Sequence, residues 1–427
     1  MPDTNPTFNL KAVIHETGLN AETIRAWERR YGLLKPQRTS GGHRLYSTRE
    51  IQILKWLVAR QKEGLSISRA VELWRSIESS GQDPFREMVL RQPSPVVANF
   101  SLDELCAAWV EACMRYHEQE AEQILSQAFA IAAPDVVCVE VLQKGLASIG
   151  NGWYKGGVSV QQEHFASALA MRRLNALVSA APPPTRPEHL LAVCPPDEEH
   201  DFGLLLITFL LRRRGWDVIY LGANVPVDRL ESALQLTSPT LVVSVAQTLP
   251  TAATLLGMAS FLLSRNVPLA FGGGIFNSLP TLRRRIPGYF LGEQISTVPL
   301  IVENIISLKP SLPASEMIEP QYQVILDEYL EKLSLIESEV FGFKETLELS
   351  HAQIEFANGL FKRYLLSALQ LGDIHLLGSS VDWVKGLLDN YGISNQLVDH
   401  FLIAYWQSIQ KYLRSDVLQF FEWISLK

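Results

Sequence analysis

Three observations predict a multidomain chain that joins α and α/β units. The first is length: 427 residues exceed what one hydrophobic core accommodates, so two to four domains are expected. The second is periodicity. Apolar residues recur at helical spacing before residue 180 and after residue 320, whereas short Val/Leu/Ile-rich runs alternate with helical segments from His189 to about Leu308. The third is charge: residues 1–80 carry 13 Lys and Arg against 8 Asp and Glu, in a chain whose net charge is −7. One basic module therefore sits on an acidic body. The expected order is a winged helix-turn-helix (1–78), a four-helix bundle (100–181), a parallel α/β unit (188–308) and a C-terminal helical bundle (320–427).

In the first module, "FNLKAVIHETGLNAETIRAWERRY" reads as two short helices. Gly18 ends the first, Asn20 is a good N-cap for the second, and Ile24 and Trp27 lie on its inner face. Its other side then presents Thr23, Arg25, Arg29 and Arg30, side chains suited to guanine edges and phosphates. In "KPQRTSGGHRLYS", Gly41 and Gly42 fit a tight hairpin, which would set Arg38, His43, Arg44 and Tyr46 on or beside a short wing against the DNA backbone. Helices are expected from about Thr48 to Glu63 and over "GLSISRAVELWRSI". The stretch "TIRAWERRYGLLKPQRTSGGHRLYS" resembles the MerR-type winged helix-turn-helix, which implies a dimeric reader of duplex DNA. One departure stands out: "SSGQDP" and "RQPSP" interrupt the long helix through which such regulators dimerise, so self-association must come from further along the chain.

Residues 101–180 are rich in Ala and Leu at helical spacing and form the expected bundle. "APPPTRP" breaks it. Beyond the break, "LLAVC", "DVIYLG", "LVVSVA" and "PLAFGG" are the strands of a doubly wound parallel sheet, in which ligands bind beyond the carboxyl ends of strands. Ser232 to Ser264 contains no charged residue, yet Pro239 and Pro250 cut it into pieces too short for one membrane-crossing helix. It reads as a buried strand and a buried helix, and no membrane partner is expected. Four cysteines (Cys106, Cys113, Cys138, Cys194) without CxxC pairing, and an N-terminus without a basic-then-apolar signal, place the protein in the cytoplasm.

His200 lies just past the first strand, in "CPPDEEHDFG". Alone it fits a solvent-facing residue at a helix start as readily as a ligand. Glu198 two residues earlier is placed to accept the second imidazole N–H, Gly203 leaves room at the helix, and Ser244 and Gly272-Gly273-Gly274 end the third and fourth strands. Glu198-x-His200-x-x-Gly203, then Ser244, then the glycines resembles the Rossmann-like cobalamin-binding domain. That resemblance implies that His200 is the lower cobalt ligand, that Glu198 and Ser244 support the cofactor, and that Gly272 and Gly273 admit its nucleotide tail. "SVA" stands where family members often have Ser-x-Leu.

In the bundle, Trp153, nine residues, then Glu163-His164 resembles the W-x9-EH motif of CarH-type photoreceptors. There the motif surrounds the adenosyl group of adenosylcobalamin, although a bundle Trp is also an ordinary core residue and Glu-His an ordinary surface pair. Tyr154 stands where such proteins place a histidine that can become the upper ligand, and His164 or His117 reach that place only if the bundle moves. The combined resemblance implies a DNA-binding transcriptional regulator, not an enzyme. Photolysis of the cobalt–carbon bond would change a dimer or tetramer and its hold on an operator. The alternatives are a light-independent cobalamin- or bilin-responsive regulator acting through residues 320–427, or a cobalamin enzyme. Those C-terminal helices resemble extensions that bind a bilin beside cobalamin, but no cysteine follows Cys194 to attach one, and a packing or oligomerisation role is equally open.

Overall fold

The structure is a computed structural model and describes residues 7–39, 41–62, 65–79, 100–347, 349–378, 381, 385–386 and 394–426. It divides into two compact units, Met1–Asn99 and Phe100–Lys427. The Gly and Pro breaks expected between residues 80 and 99 lie outside the described residues, as does most of the helix expected over "SSVDWVKGLLDNYG".

The first unit is a winged helix-turn-helix. Helix α1 (Leu10–Thr17) is capped by Asn9 and α2 (Ala21–Tyr31) by Asn20, whose side chain accepts from Thr23 N at 2.7 Å. Each helix ends on a left-handed glycine, Gly18 and Gly32, which takes that conformation at no steric cost. Strands β1 (Phe8–Asn9), β2 (Gln37–Arg38) and β3 (Arg44–Tyr46) form an antiparallel sheet in the order β1-β3-β2, and the hairpin between the last two turns at Gly42. Helices α3 (Thr48–Lys62) and α4 (Ile67–Ser79) close the core, where Trp56 meets Trp74 edge to face at 5.2 Å.

In the second unit, α5 (Leu102–Met114), α6 (Glu118–Ile131), α7 (Pro134–Val137) with α8 (Lys144–Tyr154), and α9 (Val160–Ser179) build the bundle. One π-helical stretch, Cys138–Gln143, joins α7 to α8. Capping boxes at Ser101/Glu104 and Ser159/Gln162 start α5 and α9. Trp109, Leu125, Leu142 and Leu174 are buried at the centre with Cys113 and Cys138, whose thiols burial pushes up to about 12. They are packing residues, not nucleophiles.

The sheet is parallel throughout. Strands β4 (His189–Val193), β5 (Asp217–Gly222), β6 (Leu241–Val245), β7 (Leu269–Gly272) and β8 (Tyr289–Phe290) lie in the order β5-β4-β6-β7-β8. Chain direction across the sheet reverses between β4 and β6, and the crevice beyond their carboxyl ends is where such sheets take ligands. The four expected strands are present. The short edge strand β8 was not expected, because two residues carry no periodic signal.

Helix α10 (Phe202–Arg213) is buried from Leu204 to Leu211 because it has two partners: Leu205 and Phe209 face the bundle, and Leu204 and Ile207 face the sheet. An apolar surface all round is then required. The same logic resolves the charge-free stretch around α12 (Leu249–Leu263). It packs on the sheet with one side and is covered on the other by C-terminal helices, Met258 and Leu262 sharing one core with Ile354 and Leu365. No helix among the described residues is long and apolar enough to cross a membrane.

The C-terminal part contains α13 (Pro320–Gly342), α14 (His351–Gln370) and α15 (Asn395–Tyr412) after an extended linker. Tyr329 and Tyr405 bond to each other through their hydroxyls in its centre, and Glu328 ties Arg414 back to α13.

Beyond β7 the backbone turns at Gly273 with φ +117°, and a Cβ there would stand 2.0 Å from the Ala246 carbonyl oxygen. Gly273→Ala is expected to cost at least about 3 kcal/mol through strain and overlap. Gly257→Ala, in α12 with nothing within 4 Å, should be neutral or stabilising by up to about 1 kcal/mol. Denaturant unfolding of the two variants beside the wild type measures both.

Candidate functional site

The loop after β4 is organised by one carboxylate. Glu198 is completely buried. Its Oε1 accepts from the His200 backbone N at 2.9 Å and lies 2.9 Å from His200 Nδ1, while its Oε2 accepts from Gln247 N at 2.7 Å and from Thr251 Oγ1 at 2.7 Å. Burial alone would lift this carboxyl, but the hydrogen bonds from His200, Thr251 and Gln247 outweigh it and hold the group below the ordinary carboxylate value. The loop is fixed from its other side by Asn224, which accepts from Asp197 N and donates its own N–H to the Glu198 carbonyl.

His200 itself is exposed, with 74% of its side chain open to solvent. The hydrogen bond to Glu198 raises its pKa, against the opposing effect of burial. Because the ionised carboxylate only accepts, Nδ1 carries the proton in the neutral ring, and the Nε2 lone pair points away from the protein's own anchor. A single imidazole nitrogen, oriented by a carboxylate behind it, is the chemistry of a metal ligand with its supporting acceptor. Among the described residues no group of three or more His, Cys, Asp or Glu is arranged to hold a bare ion. One ligand fits a metal that arrives with its other ligands attached.

Behind the loop, Ser244 in β6 is fully buried and its Oγ has no hydrogen-bond partner. A hydroxyl left so costs free energy that a bound acceptor or donor recovers. Beside it, a side chain at Gly203 would meet only Gln247 Nε2, at 3.9 Å, and Gly273 admits no Cβ. A Cβ at Gly272 would make ordinary 3.6 Å contact with Leu291, so of these two glycines only Gly273 is required by the packing of the chain itself. Gln247 and Thr251 were not among the expected site residues. Their signal in the sequence is the Thr248-x-x-Thr251 capping box that starts α12 immediately after β6.

The bundle brings its motif to the same region. Trp153 is half-buried near the end of α8. Glu163 lies in the first turn of α9, where it accepts from Ser167 Oγ and pairs with His164 Nδ1 at 2.6 Å. Its charge contributes to the raised pKa of His200, which puts α9's first turn within electrostatic reach of the imidazole. His164 is exposed. Tyr116, next to His117, stacks edge to face on Phe165. Tyr154 ends α8, and its ring lies against the C-terminal part: a Cβ at Gly386 would stand 2.5 Å from its hydroxyl.

In the winged module, Arg25, Arg29, Arg30, Arg38 and His43 are exposed and Thr23 is half-buried. Arg25, Arg29 and Arg38 make no ion pair among the described residues. One expectation needs correction. Tyr46 is fully buried in the module's core, because its position in β3 faces α1 and α3, so it cannot lie on a DNA-facing wing. Arg44 holds Glu28 at 3.0 Å, so its guanidinium ties the wing to α2 before it meets any phosphate.

With this geometry in place, comparison with known proteins is informative. The family description "MerR HTH family regulatory protein" matches residues 8–77, and two "B12 binding domain" descriptions match residues 105–178 and 188–302. The HTH-type transcriptional repressor CarH of Myxococcus xanthus is 33% identical over 236 residues, which span 55% of this chain and 77% of that repressor. CarA of the same organism is 32% identical over 240 residues, 55% of this chain and 75% of CarA. A Methanosarcina barkeri monomethylamine corrinoid protein superposes with a TM-score of 0.40 at 16% identity, over 48% of this chain and 100% of its own. The chain belongs to the family of MerR-type regulators with B12-binding domains that includes CarH and CarA.

Proposed function

We propose that this protein is a cobalamin-dependent transcriptional regulator that responds to light and changes its self-association and its grip on DNA. The observation that carries the reading is the His200–Glu198 pair above the orphaned Ser244 hydroxyl, at the switch point of the sheet. His200 Nε2 would bind the cobalt, and Glu198 would hold its ring in the required tautomer. Ser244 Oγ would give the cofactor's nucleotide tail a hydrogen bond, with the Gly273 turn leaving it room, and Trp153, Glu163 and His164 would hold the group from the bundle side. When bound, adenosylcobalamin supplies a cobalt–carbon bond that visible light breaks.

The chain's own residues do the rest. Because α10 is shared by bundle and sheet, a displacement of α9 is felt by the helix that begins beside His200. Arg25, Arg29, Arg30, Arg38 and His43 form the DNA-facing surface, with Thr23 beside them. Two or more copies on one operator act together through their effective concentration. The winged module and the repressor relatives support a regulator over an enzyme, for which this surface has no use. A second reading, a regulator that answers to a ligand of its C-terminal helices, is favoured by the apolar cavity described below.

Three outcomes are expected. His200→Ala should lose at least about tenfold in cobalamin affinity and change the spectrum of the bound cofactor, while Glu198→Ala should also lose about 3 kcal/mol of stability because four donors lose their acceptor. Equilibrium binding and denaturant unfolding measure these. On an operator selected from random duplexes, Arg29→Ala should weaken binding at least about tenfold, with the salt dependence reduced by roughly one phosphate contact. With adenosylcobalamin, sedimentation and DNA binding should differ between darkness and green light; identical results would refute the light response.

A further inference from the structure

The C-terminal helices line an apolar pocket of 280 Å³ that is open to solvent at one end. One wall is the face of α14 carrying Ala352, Phe356, Leu360 and Tyr364, and Val398 and Phe401 of α15 stand in the opposite wall. Its size is near the lower end of small-molecule sites, and among the described residues no charged side chain lines it. Apolar side chains that line an open pocket are left in contact with water, so an apolar occupant gains their burial.

Its shape and its polar groups are directional. From Gln353 to Tyr364 the wall runs along about 16 Å of helix, at 1.5 Å per residue, so the space is elongated. The end at Ala352, Gln353 and Phe356 is exposed, Phe356 at 66%, whereas Phe361 and Leu402 at the other end are buried. At the open end, Gln353 uses its Oε1 to accept from Ser350 N, which leaves its amide N–H groups to donate outward. This end is also the first turn of α14, where the helix favours a negative group. At the deep end none of the described lining residues is a cation, and the Tyr364 phenol is itself made harder to ionise by burial.

We propose that this cavity binds a long-chain aliphatic carboxylate, with the carboxylate at the Gln353 end in contact with water and the hydrocarbon chain laid along α14 towards Tyr364. A dicarboxylic or polycationic ligand would have to desolvate a charge against Leu360 and Phe401, which have nothing to offer it. The site shares no residue with the cobalamin reading, so either assignment stands or falls alone.

The test uses the full chain, stripped of lipid and titrated with palmitate by calorimetry and by displacement of a fluorescent fatty acid. Saturable binding of one palmitate per chain is expected. Leu360→Trp and Ala357→Phe, which fill the space, should each weaken it at least about tenfold, with circular dichroism and cobalamin uptake unchanged. The assignment is overturned if the wild type shows no saturable palmitate binding, if both filled variants bind palmitate like the wild type, or if biliverdin saturates the cavity while palmitate does not.

Discussion

The functional half of this molecule depends on a buried carboxylate. Glu198 has no exposed surface and every one of its hydrogen bonds comes from a group that positions the site: the His200 ring, the His200 backbone, the amide that follows β6 and the first turn of α12. A charge in such a place is tolerated only when it is fully hydrogen-bonded. The cost of burial therefore selects for one arrangement, in which the loop after β4 and the start of α12 are locked together at the sheet's reversal point. His200 inherits its orientation from that lock, not from packing, since its own ring is largely in solvent.

Much of this was legible in the sequence, and the reasons are physical. Asn20, Gly18 and the Ile24/Trp27 spacing determined the helix-turn-helix because caps and periodicity are local signals. The four long strands were readable because a strand buried on both faces is a continuous apolar run. The Glu198-x-His200 pair was readable because its geometry is set within three residues. Thr251 escaped notice because its partner lies far away in sequence, and a hydroxyl in a helix's first turn has an ordinary capping role that hides any other. Tyr46 was misplaced because a short strand alternates faces, and a shift of one residue exchanges wing for core. The steric demand at Gly273 and its absence at Gly272 depend on where Ala246 and Leu291 come to lie, which no run of glycines reveals.

The C-terminal helices change how the middle of the chain must be understood. Alone, α12 would expose a stripe of Met, Leu and Ala to water. Its second face is instead covered by α14, so the sheet and the C-terminal part share a single core. The three family matches end at residue 302, but the core that α12 belongs to continues beyond it.

The Tyr154–Gly386 contact gives this arrangement an order in time. A ribosome releases the bundle and the sheet well before it releases the residue against which Tyr154 rests. During synthesis the end of α8 is therefore bare until residue 386 has emerged. Only the finished chain closes that flank. The absence of a side chain at Gly386 is what lets that late-made segment come so close to the end of α8.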